Sequence, residues 1–376
     1  MKVFYGAVAL AIFFGVRIPG PVYCAPPAEA LKAAAVLGLS GSAAYHAQAI
    51  RRGLEMAAKE LETEGWDVRL KFEDDQTNPA KTASAMHFLL SRGYRFFIGP
   101  TWSFQVNAVR AILASKDAVA LVPAGSSEIN GGAIEGVFNL CPPRTKQQHP
   151  VAAWLKEKGY KKGFVLTPNG DWGEVHREVF EGALKEAGAS LVGRENFDYG
   201  VDSAVLRTIL LKAKRVGADA VLITGAASDA ANIVHARNLL HLDYAIMSTN
   251  DVRDALEMGL LSAGDIASKV YAVGLTVPPE FRERFRAEFG EEPGIYADRG
   301  YEALKILALA VEKTDGSPKA VKSFLRGELS LGGVADGIRF DENGDITSGS
   351  YQLIDLSAQA APADSILLRQ AAAVSP

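Results

Sequence analysis

From residue 33 onward, short and wholly apolar runs alternate with longer stretches in which apolar residues recur every three or four positions. The first pattern suits strands covered on both faces of a parallel sheet, and the second suits amphipathic helices packed on that sheet. Strands are predicted at 34–39, 68–72, 96–98 and 119–122, with helices over 47–62 and 79–92 and Pro79 in the first turn of the latter. A second series follows CPPRTKQQHP (141–150). It predicts a helix ending at 154–158, strands at 163–166, 190–197, 220–223 and 245–248, and helices at 174–187, 204–216 and 230–240. Repeated strand–helix units imply parallel sheets with right-handed crossovers. There are too many strands for one sheet in a chain of this length, so two α/β domains are predicted. The rhythm breaks in the last third. Residues 279–289, 294–313 and 319–326 read as consecutive helices, and a hairpin is predicted to pair 337–340 with 351–355 across DENGD, where Asn343-Gly344 favours a turn. From Ser357 the alanine-rich sequence has no apolar period and reads as a loosely held tail.

The ends of the strands at 96–98 and 119–122 carry the same chemistry. Gly99-Pro100-Thr101-Trp102-Ser103 follows the first and Pro123-Ala124-Gly125-Ser126-Ser127 the second. In open α/β sheets ligands sit at the carboxyl ends of the strands. Small hydroxyl residues beside helix-start amides suit a small anionic group such as a carboxylate. Either serine could instead cap the segment that follows it.

The N-terminus has its own pattern. Lys2 precedes an apolar or glycine run at 3–16, then Arg17 and a Pro/Gly stretch lead to Ala25. That is the form of a secretory signal, read over residues 1–25, and the run is shorter than the ~20 residues of a membrane-spanning helix. An uncleaved anchor is the alternative. Lipid attachment at Cys24 is disfavoured by Tyr23 before it. With the signal removed near residues 24–25, Cys141 stands alone and no internal disulfide is expected. Net charge is −4 and becomes more negative without Lys2 and Arg17. A mildly acidic surface without a basic patch argues against nucleic acid as a partner.

Several chemistries lack their motifs. No GxxxxGK[ST] loop and no GxGxxG after a strand supports a nucleotide cofactor. The six histidines form no HExxH or Cys-paired metal motif, and DENGDITSGSYQ lacks the glycine and closing glutamate of a calcium loop. No GxSxG elbow gives Ser126 a nucleophile's setting. The reading is of a protein that is not an enzyme and needs no cofactor.

Six ordered segments, VLGLSGSAAYHAQAIRRGLEMAAKEL, FEDDQTNPAKTASA, FIGPTWSF, VPAGSSE, NGDWGE and RFDENGDI, resemble the leucine/isoleucine/valine-binding branch of the type I periplasmic solute-binding proteins, the receptors of ABC importers. The resemblance spans about residues 33–356. It implies two Rossmann-like lobes, each a doubly wound parallel sheet, joined by three crossings near 140–145, 271–276 and 332–337. Lobe one would comprise 33–140 with 276–333, lobe two 145–271 with 337–356, and 357–376 would be a tail. The implied role is a periplasmic receptor that closes over a small carboxylate, an amino acid first, and delivers it to membrane permease subunits. An aromatic acid or amide-type solute, or a sensor feeding a kinase, is the alternative. Carried over by position, the carboxylate meets Ser103, Ser126 and the backbone around Ala124, with Ser127 beside them. Trp172 covers the ligand from lobe two, unless it is a packed core residue. Tyr45 or His46 faces the cleft from lobe one, where Tyr45 could equally be merely exposed. The α-ammonium would meet Asn250 or Asp251, although Asp251 could be a helix cap. Asn250 stands where the branch carries an acid, and Gly225-Ala226-Ala227 where it carries a tyrosine. Both departures point to a wider pocket with Trp102 and Trp172 as stacking walls.

Overall fold

The computed structural model describes residues 29–130, 132–327 and 338–359. The signal read over 1–25 and the crossing expected at 332–337 lie outside them.

The chain opens with β1 (Leu31–Leu37), α1 (Ala44–Thr63), β2 (Val68–Asp74), α2 (Pro79–Ser91), β3 (Phe96–Ile98), α3 (Ser103–Ser115), β4 (Val119–Val122), a short α4 (Ser127–Asn130) and β5 (Val137–Asn139). Asn78 starts α2 by accepting the amides of Ala80 and Lys81 at 2.9 and 3.2 Å, with Pro79 in the first turn as the sequence indicates. The five strands form one all-parallel sheet in the order β2-β1-β3-β4-β5. Alternation along β1 divides its side chains between two buried layers. Leu31, Ala33, Ala35 and Leu37 enter one, Ala34 and Val36 the other.

A 3-10 turn (Arg144–Gln147) and α5 (Gln148–Lys158) lead into the second sheet through β6 (Lys162–Pro168), α6 (Asp171–Ala187), β7 (Ser190–Phe197), α7 (Ser203–Arg215), β8 (Ala220–Ile223), α8 (Ala227–Leu239), β9 (Ala245–Ser248), α9 (Asp251–Glu257) and β10 (Val270–Gly274). The chain then returns to the first lobe with α10 (Pro279–Phe289), α11 (Ala297–Glu312) and α12 (Pro318–Gly327), and ends with β11 (Gln352–Asp355) and α13 (Leu356–Gln359). The second sheet runs β7-β6-β8-β9-β10-β11, parallel except for the antiparallel edge strand β11.

Helices α1 and α11 cross with their backbones in contact. A Cβ on Gly53 would stand 1.8 Å from the Ala297 carbonyl oxygen, and one on Gly300 would stand 2.3 Å from that of Ile50. Two glycines facing opposite ways therefore permit the approach. It brings the start of α1, with Tyr45 and His46, beside Tyr296 at the start of α11.

Three expectations give way. The DENGD turn pairs Phe340 with Ile346 rather than closing a hairpin onto 351–355. Asn139, on β5, forms a parallel bridge with Asp345, and the Asp345 carboxylate accepts from Asn139 Nδ2 at 2.7 Å and from the Ser127 backbone and hydroxyl. This anchoring holds 338–346 on the first sheet, not with the second lobe, and among the described residues the last return to the second sheet falls between Ile346 and Gln352. Finally, 356–359 are helical rather than loose, and Ser357 Oγ accepts the Val270 amide at 3.0 Å. Residues 360–376 lie outside the description.

Candidate functional site

The two sheets share one plan. In each, the first strand lies between the second and the third, so the helices after strands one and three leave on opposite faces and open a crevice at the carboxyl ends. In the first sheet that point is the β1/β3 boundary, with Tyr45 and His46 after β1 and Trp102 and Ser103 after β3. In the second it is β6/β8, with Trp172 after β6 and Thr224-Gly225 after β8. The two crevices face each other and the lobes meet across them.

On the first lobe, Ser103 Oγ accepts the Ser126 amide at 3.0 Å and keeps its own proton to donate. Ser126 is fully buried, and its hydroxyl donates to Glu128 Oε2 at 2.9 Å. Ser127 is committed to Asp345. Ala124 is buried at the tip of β4. Of the three serines singled out at these strand ends, Ser103 alone has a hydroxyl proton not committed to a carboxylate.

Contacts between the lobes involve the aromatic rim. Trp102 Nε1 donates to His46 Nδ1 at 3.3 Å, which leaves the ring proton on Nε2, 3.1 Å from Asp254 Oδ2 on α9. One turn on, the Tyr45 hydroxyl donates to Glu257. Burial, then Glu257, raises the Tyr45 phenol far above its ordinary range, so it stays a donor. Tyr296 packs edge-on against His46, with ring centroids 5.1 Å apart.

On the second lobe Trp172 is half-buried, and its indole N–H donates to Thr224 Oγ1 at 2.9 Å. Thr224 passes a hydrogen bond to Asp251 Oδ2 at 3.1 Å, and the same oxygen accepts from the Gly225 amide at 3.1 Å and from the Thr249 hydroxyl. Burial, reinforced by Asp254, pushes the Asp251 carboxyl up to about 7. Asp251 thus sits behind Trp172, holding it through Thr224. Asn250 turns away, its buried Oδ1 lying where a Cβ on Gly274 would fall, 1.8 Å off.

Between the lobes, at the first crossing, lies Arg144. Its amide donates to Glu128 Oε2 at 2.6 Å, and its Nη1 donates at 2.7 Å to the Tyr351 hydroxyl, which donates to the Pro142 carbonyl at 2.8 Å. The guanidinium carbon stands 5.2 Å from the Trp172 ring centroid. Arg144, Thr224, Asp254, Glu257 and Tyr296 were not singled out by the sequence. Their places depend on how the lobes meet, and only the position of Thr224 directly after a strand could have flagged one of them. Among the described residues no group of three or more His, Cys, Asp or Glu is arranged to hold a metal, and no helix is long and apolar enough to cross a membrane.

Residues 30–354 match the family model described as periplasmic binding protein. The Leu/Ile/Val-binding protein BraC3 of Rhizobium johnstonii is 22% identical over 328 residues, 84% of this chain and 88% of its own. Among solved structures, the leucine-binding protein LivK of Thermotoga maritima superposes with a TM-score of 0.73 at 21% identity, covering 84% of this chain and 93% of its own. An ABC-transporter solute-binding protein of R. palustris, solved with benzoate, gives 0.74 at 18% identity over 86% of this chain and 92% of its own. With two like-ordered sheets facing across a cleft and a family match over nearly all the described residues, the chain belongs to the type I periplasmic binding proteins, solute-binding receptors rather than enzymes.

Proposed function

We propose that the inter-lobe cleft captures a small carboxylate, an amino acid first among them, and that the loaded protein docks on the permease subunits of an ABC importer. The observation that carries the reading is the facing of two strand-end crevices, one with the free Ser103 hydroxyl and Trp102, the other with Trp172. Polar donors at one pole and aromatic walls around the rest suit a small organic acid with an apolar body. The buried Oδ1 of Asp254 has no hydrogen-bond partner and offers an ammonium acceptor across from His46. The relatives point the same way, since branched-chain amino acids and benzoate share a carboxylate on an apolar frame. A secretory signal over residues 1–25 would deliver such a receptor outside the cytoplasm.

A second reading, an aromatic acid without an ammonium, is favoured by Asp251. That carboxyl already has three donors on one oxygen and is shifted toward its neutral form, so it is a poor partner for a cation. Leucine, isoleucine, benzoate and glucose, each screened at saturating concentration by thermal shift, decide among these. A ligand of the folded state raises the melting temperature by mass action, by about 2.7 kcal/mol of stability at a hundred times Kd. One of the three acids is expected to do so. A rise with glucose alone would overturn the carboxylate assignment.

A further inference from the structure

We propose that Arg144 is the anion-recognition residue of the cleft, pairing its Nε and Nη2 edge with the carboxylate of the captured solute. The inference rests on the receptor reading above and adds to it the group that sets the solute's charge.

Arg144 is 2% exposed, and neither Nε nor Nη2 makes a well-formed hydrogen bond, although the Tyr296 hydroxyl and the Cys141 thiol lie close to the guanidinium. No carboxylate lies within salt-bridge distance of its side chain among the described residues. Glu128, the acid that binds the Arg144 amide, is otherwise occupied by the Ser126 hydroxyl and the Thr145 amide. The buried Arg237 and Arg299 leave only Nε without a hydrogen-bond partner: Arg299 Nη1 meets Glu302 at 2.6 Å, and both terminal nitrogens of Arg237 meet the Ser268 carbonyl at 3.0 and 2.9 Å. A buried guanidinium keeps its charge, so an empty edge on it is costly until an acceptor arrives.

Position and shape agree with that role. With Nη1 fixed on Tyr351, the free nitrogens are the two that form one side of the planar fork, and that side matches the two oxygens of a carboxylate. The backbone of Arg144 and the hydroxyl of Ser126 share one oxygen of Glu128, so the residue adjoins the β4 strand-end loop. Its guanidinium reaches over Trp172, the wall of the opposite lobe. His176, behind Trp172, also has a buried unpartnered nitrogen. Its Nδ1 donates to the Trp172 carbonyl at 2.9 Å, leaving Nε2 as a free acceptor that does not close on Arg144. Burial, then the Arg144 charge, pushes its pKa down to about 3, so the histidine adds no second cation.

The test pairs each acid with its neutral amide. Leucine and leucinamide, benzoate and benzamide are titrated calorimetrically into the parent, Arg144→Gln and Arg144→Lys, beside melting curves of the unliganded proteins. The parent should bind one acid at least about 100-fold more tightly than its amide, and Arg144→Gln should collapse that ratio to within about 10-fold, with Arg144→Lys between them. An Arg144→Gln protein that melts as a folded protein and keeps the parent's ratio would overturn the role of Arg144 while leaving the receptor reading intact. A parent that binds acid and amide equally would overturn it without any variant, so misfolding of the variants gives no shelter. A parent that binds none of the four would count against both this inference and the carboxylate reading.

Discussion

Asp251 is shut into the second lobe with three donors on one oxygen, and burial lifts its carboxyl to about 7. In the unfolded chain it titrates near 4, so between these values the folded protein holds a proton that the unfolded chain has released. Its contribution to stability is therefore complete below about pH 4 and is lost as the pH rises through about 7. Asp251→Asn keeps an acceptor for Thr249 and Gly225 but carries no charge. Above pH 7 it should melt higher than the parent, by an amount on the order of 2–4 kcal/mol, with the gap closing toward pH 4. Melting curves from pH 4 to 9 read this directly, and a gap that does not change with pH would remove ionisation as its source. The strand-end rule led to Ser103 and Ser126, and the family resemblance to Trp172 and Asp251, because β-to-α turns carry recognisable residues. It did not reveal that Ser126 serves Glu128 or that Asp251 stands behind Trp172. Those roles are set by side chains distant in sequence, which leave no local spacing to read.

The crossing of α1 and α11 is the element that aims the first-lobe rim. An added methyl at Gly53 would collide with backbone, which cannot swing aside as a flexible side chain can. Gly53→Ala should therefore cost about 1–3 kcal/mol of stability or more, as overpacking does, despite alanine's better helix propensity. Denaturant titration of the unliganded protein checks this, and a stabilised variant would mean that the helices part without penalty. Tyr45→Phe probes the rim itself. It removes the hydroxyl that reaches Glu257 across the cleft while leaving that acid beside Arg253, at 2.9 Å. Ligand affinity should fall by roughly 3- to 10-fold, the loss of one hydrogen bond made only on closure, with no change in the melting of the open, unliganded form. Unchanged affinity in calorimetric titration would show the contact to be incidental. The long elements are legible in the sequence: Ser190–Phe197 and Pro279–Phe289 follow from their own periods. The three-residue β5 and the bridge of Phe340 to Ile346 are not, since pairing with residues far along the chain, rather than local pattern, makes them.

For the molecule as a whole, two lobes built on one sheet order are linked by segments after Asn139, after Gly274 and between Ile346 and Gln352. The cross-lobe pairs Tyr45–Glu257 and His46–Asp254 join the two lobes across the cleft. Each pair joins side chains that belong to different lobes, so opening separates them without disturbing either core. Hinged domains of this kind move as rigid bodies, with the few linking residues absorbing the change in backbone angles. A small carboxylate is expected to close this clamp. Small-angle scattering of the purified protein, alone and with a saturating acid already shown to raise its melting temperature, tests it most directly. The expected result is a smaller radius of gyration with the acid present, and a return to the unliganded value when the acid is dialysed away. Superimposable profiles with and without a bound acid would contradict it.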